Sequence, residues 1–208
     1  GLIKAMLRRG MRNRDIQFYF NRQDRPVNSG RITGIRSGDY GPEVPEATDA
    51  ELDAFLATFA PAEVGVVIGR TARNVPAARA HEYVLGLTCV NDVTDRDLQR
   101  RDVQYTRAKG FDTFAPLGPC IVSGDLDRPI RVESRVNGET RQQSSTRELI
   151  FPIRDLVAFV TRVMTLLPGD IISTGTPPGV GPLVPGDEVV VAIEGVGELV
   201  NDVVAAQE

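Results

Sequence analysis

Apolar residues along this chain recur mostly in short runs bounded by Gly, Pro, Asn and Asp, a pattern that predicts strands joined by turns. Residues 63–70, EVGVVIGR, read as a buried strand closed by Gly69, and residues 85–92, LGLTCVND, as another. Between them PAARAHEYV predicts a short helix with Pro76 in its first turn. FDTFAPLGPCIVS, at 111–123, reads as a strand, and RVESRVNGETRQQSS, at 131–145, as a pair of strands turned at Asn137-Gly138. The one long amphipathic helix falls in IRDLVAFVTRVMTLLPGD, where Leu156, Phe159, Val160, Val163 and Met164 share a face and Pro168-Gly169 stops it. IISTGTPPGVGP and DEVVVAIEGVGELVN close the chain with strands and glycine turns.

Ahead of residue 60 the texture differs. IQFYF, RITGI and RSGDYG, at 16–20, 31–35 and 36–41, read as strand-like pieces of a small β-rich unit. TDAELDAFLATFAP then predicts a helix carrying Leu52, Phe55, Leu56 and Phe59, ended by Pro61. The predicted division is therefore 1–60, a small β-rich domain plus helix, and 61–208, an α+β domain in which strand exceeds helix.

Composition narrows the classes. With 41% hydrophobic and 25% charged residues, the chain reads as globular, and a net charge of −4 argues against a general nucleic-acid binder. Lys4, Arg8, Arg9, Arg12 and Arg14 crowd the first fourteen positions, a pattern read as a solvated helix. No apolar run reaches membrane-spanning length, and no signal-peptide core is visible. Cys89 and Cys120 sit in apolar runs and read as small buried hydrophobes in a reducing cytoplasm; His81 reads as structural.

The candidate chemistry starts in GLTCVNDVTDRDLQ, residues 86–99, where an apolar strand ends in a cluster of acids around one guanidinium. Asp92 at that strand end and Glu63 at the start of VGVVIG are carboxylates at the rim of the core, and they repel unless a cation or proton lies between them. Such hard oxygen donors suit Mg²⁺; the alternative is a pair of solvated strand-end acids. Thr94 with Asp97 matches a capping box, so Arg96 and Gln99 fall i, i+3 on one helix face. Lys109, between Ala108 and Gly110, could hold a substrate carboxylate or a developing enolate, or be a surface lysine. TGTPPGVGP, at 174–182, fails the phosphate-loop pattern because no Lys-Ser/Thr follows its glycines. It remains a tight loop with hydroxyls at Thr174 and Thr176, either an anion site or a turn.

Taken together, EVGVVIGR, GLTCVNDVTDRDLQ, RAKGFDTFAPLGP, VNGETRQ, MTLLPGDIISTGTPPGVGP and GDEVVVAIEGVGELVN resemble the fumarylacetoacetate hydrolase family, in the family's order and over roughly residues 63–201. RAKGFDTFAPLGP looks most like hydroxymuconate-type isomerases. The resemblance implies a mixed β-sandwich roll with a smaller N-terminal β domain, assembled as a homodimer. It implies Mg²⁺ or Mn²⁺ held by Asp92 and by Glu63, the second glutamate of a Glu-x-Glu motif. Lys109 matches a charge-neutralising lysine beside the metal, Arg96 and Gln99 a polar pair for the substrate, and Thr176 the loop that holds the substrate's acid group. The implied substrate is a small 2-oxo acid, with C–C hydrolysis ahead of isomerisation or decarboxylation, and no nucleic acid or membrane as partner. The departure from the pattern is Pro61, which stands where the first glutamate belongs, with no upstream lid bearing a His and a Glu. Either these groups are lost and the protein is a non-catalytic 2-oxo acid binder, or a stretch between about 59 and 63 is left out.

Overall fold

The computed structural model describes residues 1–13, 16, 29–49 and 61–205. Strand β1 (Ala62–Ile68) lies in the middle of a four-stranded sheet and is buried along its whole length. It pairs with β2 (Val84–Asn91) on one side and β6 (Ile171–Ser173) on the other, while β3 (Leu117–Val122) borders β2. The second sheet runs β5 (Glu139–Ser145), β4 (Arg131–Val136), β7 (Glu188–Ile193), β8 (Gly197–Asp202). All of these pairings are antiparallel: where the resemblance implies a mixed β-sandwich roll, the described strands form two antiparallel sheets of an α+β fold.

Strand alternation sorts the side chains into two sets. Val64, Val66 and Ile68 of β1, with Leu87 and Cys89 of β2, enter one core with Val132, Val191 and Ile193 of the second sheet. Glu63, Gly65 and Val67 therefore belong to the opposite face of β1. The Asn137-Gly138 turn forms where the sequence predicts it, with φ of 52° and 79°. Two successive left-handed residues are what a tight hairpin turn needs, and glycine takes the second without a Cβ penalty.

Helix prediction fares less evenly. The PAARAHEYV segment is a 3-10 turn over Ala77–Glu82 with Pro76 as its cap. The long amphipathic helix is Ile153–Val163, and Met164 is already extended, well before Pro168-Gly169. Its buried residues are Ile153, Val157 and Thr161, whereas Phe159, Val163 and Met164 of the predicted core face are exposed. The helix carries two apolar stripes, and the register of its Ile153–Val157 stripe against the shared core decides which is buried. The FDTFAP half of the predicted third strand is loop, because β3 begins only at Leu117.

Among the described residues before 50 there are two helices, Leu2–Arg8 (α1) and Ser29–Ser37 (α2); α2 replaces the predicted strand RITGI, and RSGDYG becomes the last two residues of that helix and the turn after it. Ile32 and Ile35 are spaced i, i+3, which puts them on one side of a helix but on opposite faces of a strand. The helix is realised with Ile32 buried beside Ala5 and Met6 of α1, in a cluster separate from the main core. The basic leading segment is indeed helical and is engaged: Arg8 pairs with Glu46 and Asp49, and Lys4 donates to the Val44 carbonyl at 2.7 Å. IQFYF beyond Ile16, and the helix predicted across residues 50–60, lie outside the described residues. No helix among the described residues is long and apolar enough to cross a membrane.

Candidate active site

One rim of the first sheet gathers most of the residues singled out by sequence. The β1–β2 register pairs Glu63 with Val90 and Ala62 with Asn91. One step further, the Asp92 N–H donates to the Pro61 carbonyl at 2.9 Å. Residues paired across an antiparallel ladder share a face, so Pro61, Glu63 and Asp92 stand on the same face of the sheet at its edge.

The strand stops there because the chain folds back: Val93 N–H donates to the Asn91 carbonyl at 2.8 Å, and the Thr94 hydroxyl to the Asp92 carbonyl at 2.9 Å. The predicted capping box does not form, because the helix starts one residue later. Asp95 caps instead, accepting from Leu98 N–H at 2.9 Å, and helix α3 runs Arg96–Arg101. The acid cluster thus divides its labour. Asp92 faces the rim, Asp95 caps the helix and Asp97 pairs with Arg100.

Glu63 is only 5% exposed, and burial holds its carboxyl above the ordinary carboxylate range. The nearby Asp92 charge pushes the same way, while the Ser173 hydroxyl, the Gly175 N–H at 3.0 Å and the Lys109 charge pull it back. Lys109 ends a one-turn helix, Thr106–Lys109 (α4), and its ammonium sits directly on Asp92. Arg96 is 4% exposed and donates to Gln99 Oε1 at 2.6 Å, so the predicted pair meets side chain to side chain.

The 174–182 loop is a built structure. The Thr174 hydroxyl donates to the Val64 carbonyl at 3.0 Å and the Thr176 hydroxyl to the Ala62 carbonyl at 3.1 Å. The Thr176 hydroxyl also accepts from Gln142 Nε2 at 2.8 Å, so it is engaged within the protein. Ser173 and Gln142 are the contacts that sequence reasoning passed over. Ser173 directly precedes the singled-out TGT. Gln142 is a polar residue at an inward position of a hairpin strand, a signal that strand alternation could have raised. Cys89 is buried as predicted, but Cys120 is exposed, because it lies on the edge strand β3. His81 is exposed on the 3-10 turn before β2. The eight residues of β2 separate it from the rim by roughly 25 Å.

Two buried-edge carboxylates on one face are a donor set that fits Mg²⁺ or Mn²⁺, which takes one or two carboxylates and completes its shell with water or substrate oxygens. They do not make an all-protein cage: among the described residues no three His, Cys, Asp or Glu side chains converge. The third position on that face is occupied by Pro61, which has no donor atom in its side chain.

Residues 59–204 match the family described as fumarylacetoacetate (FAA) hydrolase C-terminal, and the chain belongs to that family. An uncharacterized protein of Methanocaldococcus jannaschii is 53% identical over 139 residues, 67% of this chain and 59% of its own length. The crystal structure of 5-carboxymethyl-2-hydroxymuconate delta-isomerase from Mycobacterium smegmatis is 51% identical with a TM-score of 0.71, over 73% of this chain and 61% of that one. Maleylpyruvate hydrolase from Sphingobium sp. SYK-6, solved with manganese(II) and pyruvate, is 37% identical with a TM-score of 0.66, over 73% and 56%. The chain spans about three fifths of the length of the curated relatives it matches.

Proposed function

We propose that this protein is a divalent-metal-dependent enzyme that enolises a small 2-oxo acid, moving a proton between keto and enol forms of a catabolic intermediate. The observation that carries this reading is the Glu63–Asp92–Lys109 cluster on one sheet rim: two carboxylates for a cation, with an ammonium fixed beside them. Glu63 and Asp92 would hold Mg²⁺ or Mn²⁺, and a bound ion supplies Lewis-acid polarisation of the substrate's keto group. Lys109, oriented by Asp92, adds a fixed positive charge where negative charge develops on the enolate oxygen. Arg96, set by Gln99, and the Thr176 loop would receive the substrate's carboxylate. The isomerase and the manganese- and pyruvate-bound hydrolase among the relatives support this class of substrate.

In the proton shift the α-proton passes to solvent water and is returned to the enolate, whereas C–C hydrolysis passes through the same enolate but also needs a water that attacks the carbonyl carbon. Pro61 supports a second reading, a relative that binds 2-oxo acids without turning them over. We further propose that residues 61–208 form the catalytic unit and that the chain pairs as a homodimer, to which exposed Phe159, Val163 and Leu167 offer apolar surface.

The test is deuterium exchange into the methyl group of pyruvate in D₂O with Mg²⁺, followed by proton NMR. Exchange above the Mg²⁺-only control, lost in Asp92→Ala, is expected. Exchange at the control rate, with pyruvate still bound, would establish the non-catalytic reading.

A further inference from the structure

Gln142 is 1% exposed and is the one polar side chain among the largest fully buried ones of the described residues. It lies on β5 opposite Ser134, on the face that carries Val132 into the core, so it looks from the second sheet toward the first. Its amide is saturated. Oε1 accepts from the Ala62 N–H and the Ser134 hydroxyl, both at 2.9 Å. Nε2 donates to the Thr176 hydroxyl at 2.8 Å and to the Pro177 carbonyl at 2.6 Å. A primary amide offers two acceptor and two donor positions, and all four are used.

Those four bonds join three pieces of chain: the second sheet, the first residue of β1, and the loop that closes the rim. Ala62 is tied twice, through its N–H to Gln142 and through its carbonyl to Thr176. Its neighbour is Glu63, which grips the same loop from the outer side at Ser173 and Gly175. The loop is also pressed onto β5 next to Gln142. A Cβ added at Gly179, whose φ is +112°, would lie 2.1 Å from the Arg141 carbonyl oxygen.

We infer that Gln142 is a positioning residue, a latch on the second sheet that sets the 174–181 loop against the start of β1 and so fixes the substrate loop relative to Glu63. It touches none of the groups proposed to meet substrate except the Thr176 hydroxyl, and it acts through that loop. The consequence for ligand binding rests on the proposed function; the latch itself does not.

Gln142→Glu keeps an acceptor for Ala62 and Ser134 but replaces both N–H donors with an oxygen facing the Pro177 carbonyl. Gly179→Ala pries the loop from β5 without touching Gln142, and serves if the first variant fails to fold. Hydrogen exchange should speed across residues 173–181 by about tenfold or more, as expected for the loss of one or two hydrogen bonds, with β7 and β8 unchanged. In Mn²⁺-loaded protein the Kd for oxalate should rise by a similar factor, with the Kd for Mn²⁺ held within about threefold. Unchanged loop exchange in both variants would overturn the latch, as would acceleration spread equally over both sheets. If wild-type protein binds no oxalate, the proposed function fails while the exchange result still decides the latch.

Discussion

Glu63 combines burial with a neighbouring negative charge, and both disfavour its ionised form. Its folded-state pKa lies above 4.5, so in metal-free protein its contribution to stability is full below that pH and is lost as pH rises through the folded value. Glu63→Gln cannot titrate. Its Tm relative to wild type should therefore climb as pH is raised from 4.5 in chelator-treated buffer, and parallel profiles would remove the strain from this residue. Lys109→Met should lower turnover by about 10²- to 10³-fold, the usual cost of one fixed charge or donor at a developing oxyanion, while leaving Mn²⁺ affinity nearly intact. A Lys109→Met chain that merely unfolds would make the lysine structural. The cysteines offer a simpler contrast: burial pushes the Cys89 thiol up to about 11, whereas Cys120 is exposed. Iodoacetamide at neutral pH should modify one thiol of the native protein, and rapid labelling of both would contradict the placement of β2 in the core.

At the scale of elements, the strands were legible because a run such as EVGVVIG has one economical burial, and Asn137-Gly138 admits one turn geometry. The helices were legible in place but not in the face they bury. Ile153–Val163 has apolar residues on two sides, so periodicity alone could not choose between the Val157 stripe and the Phe159 stripe; the core opposite it did. Ile153→Ala should accordingly cost about 2–4 kcal/mol, as buried truncations do, while Met164→Ser, on the face the sequence suggested, should change stability by no more than about 0.5 kcal/mol. Reversed magnitudes in denaturant melts would restore the face that the sequence suggested. RITGI was read as a strand from its β-branched residues, but its two isoleucines are spaced i, i+3, a helical spacing, and the helix follows where Ile32 finds α1.

Across the whole molecule, the site is assembled from segments far apart in sequence. Asp92, Glu63 and Lys109 were readable because each stands at the end of a recognisable element. Gln142 and Ser173 were not, because their role exists only once the second sheet and β6 are docked on β1. Pro61 was readable as a departure, and the register shows its consequence, a position opposite Asp92 with no donor side chain. Pro61→Glu should therefore tighten divalent-ion binding, and an unchanged Kd would show that the third position on that face is irrelevant. The account depends most on the claim that Glu63 and Asp92 together form a cation site. Its most direct test is calorimetric titration of Mn²⁺ into metal-stripped protein. One saturable site per chain, abolished in both Asp92→Ala and Glu63→Gln, is the expected result; no saturable binding, or binding that survives Asp92→Ala, would contradict it.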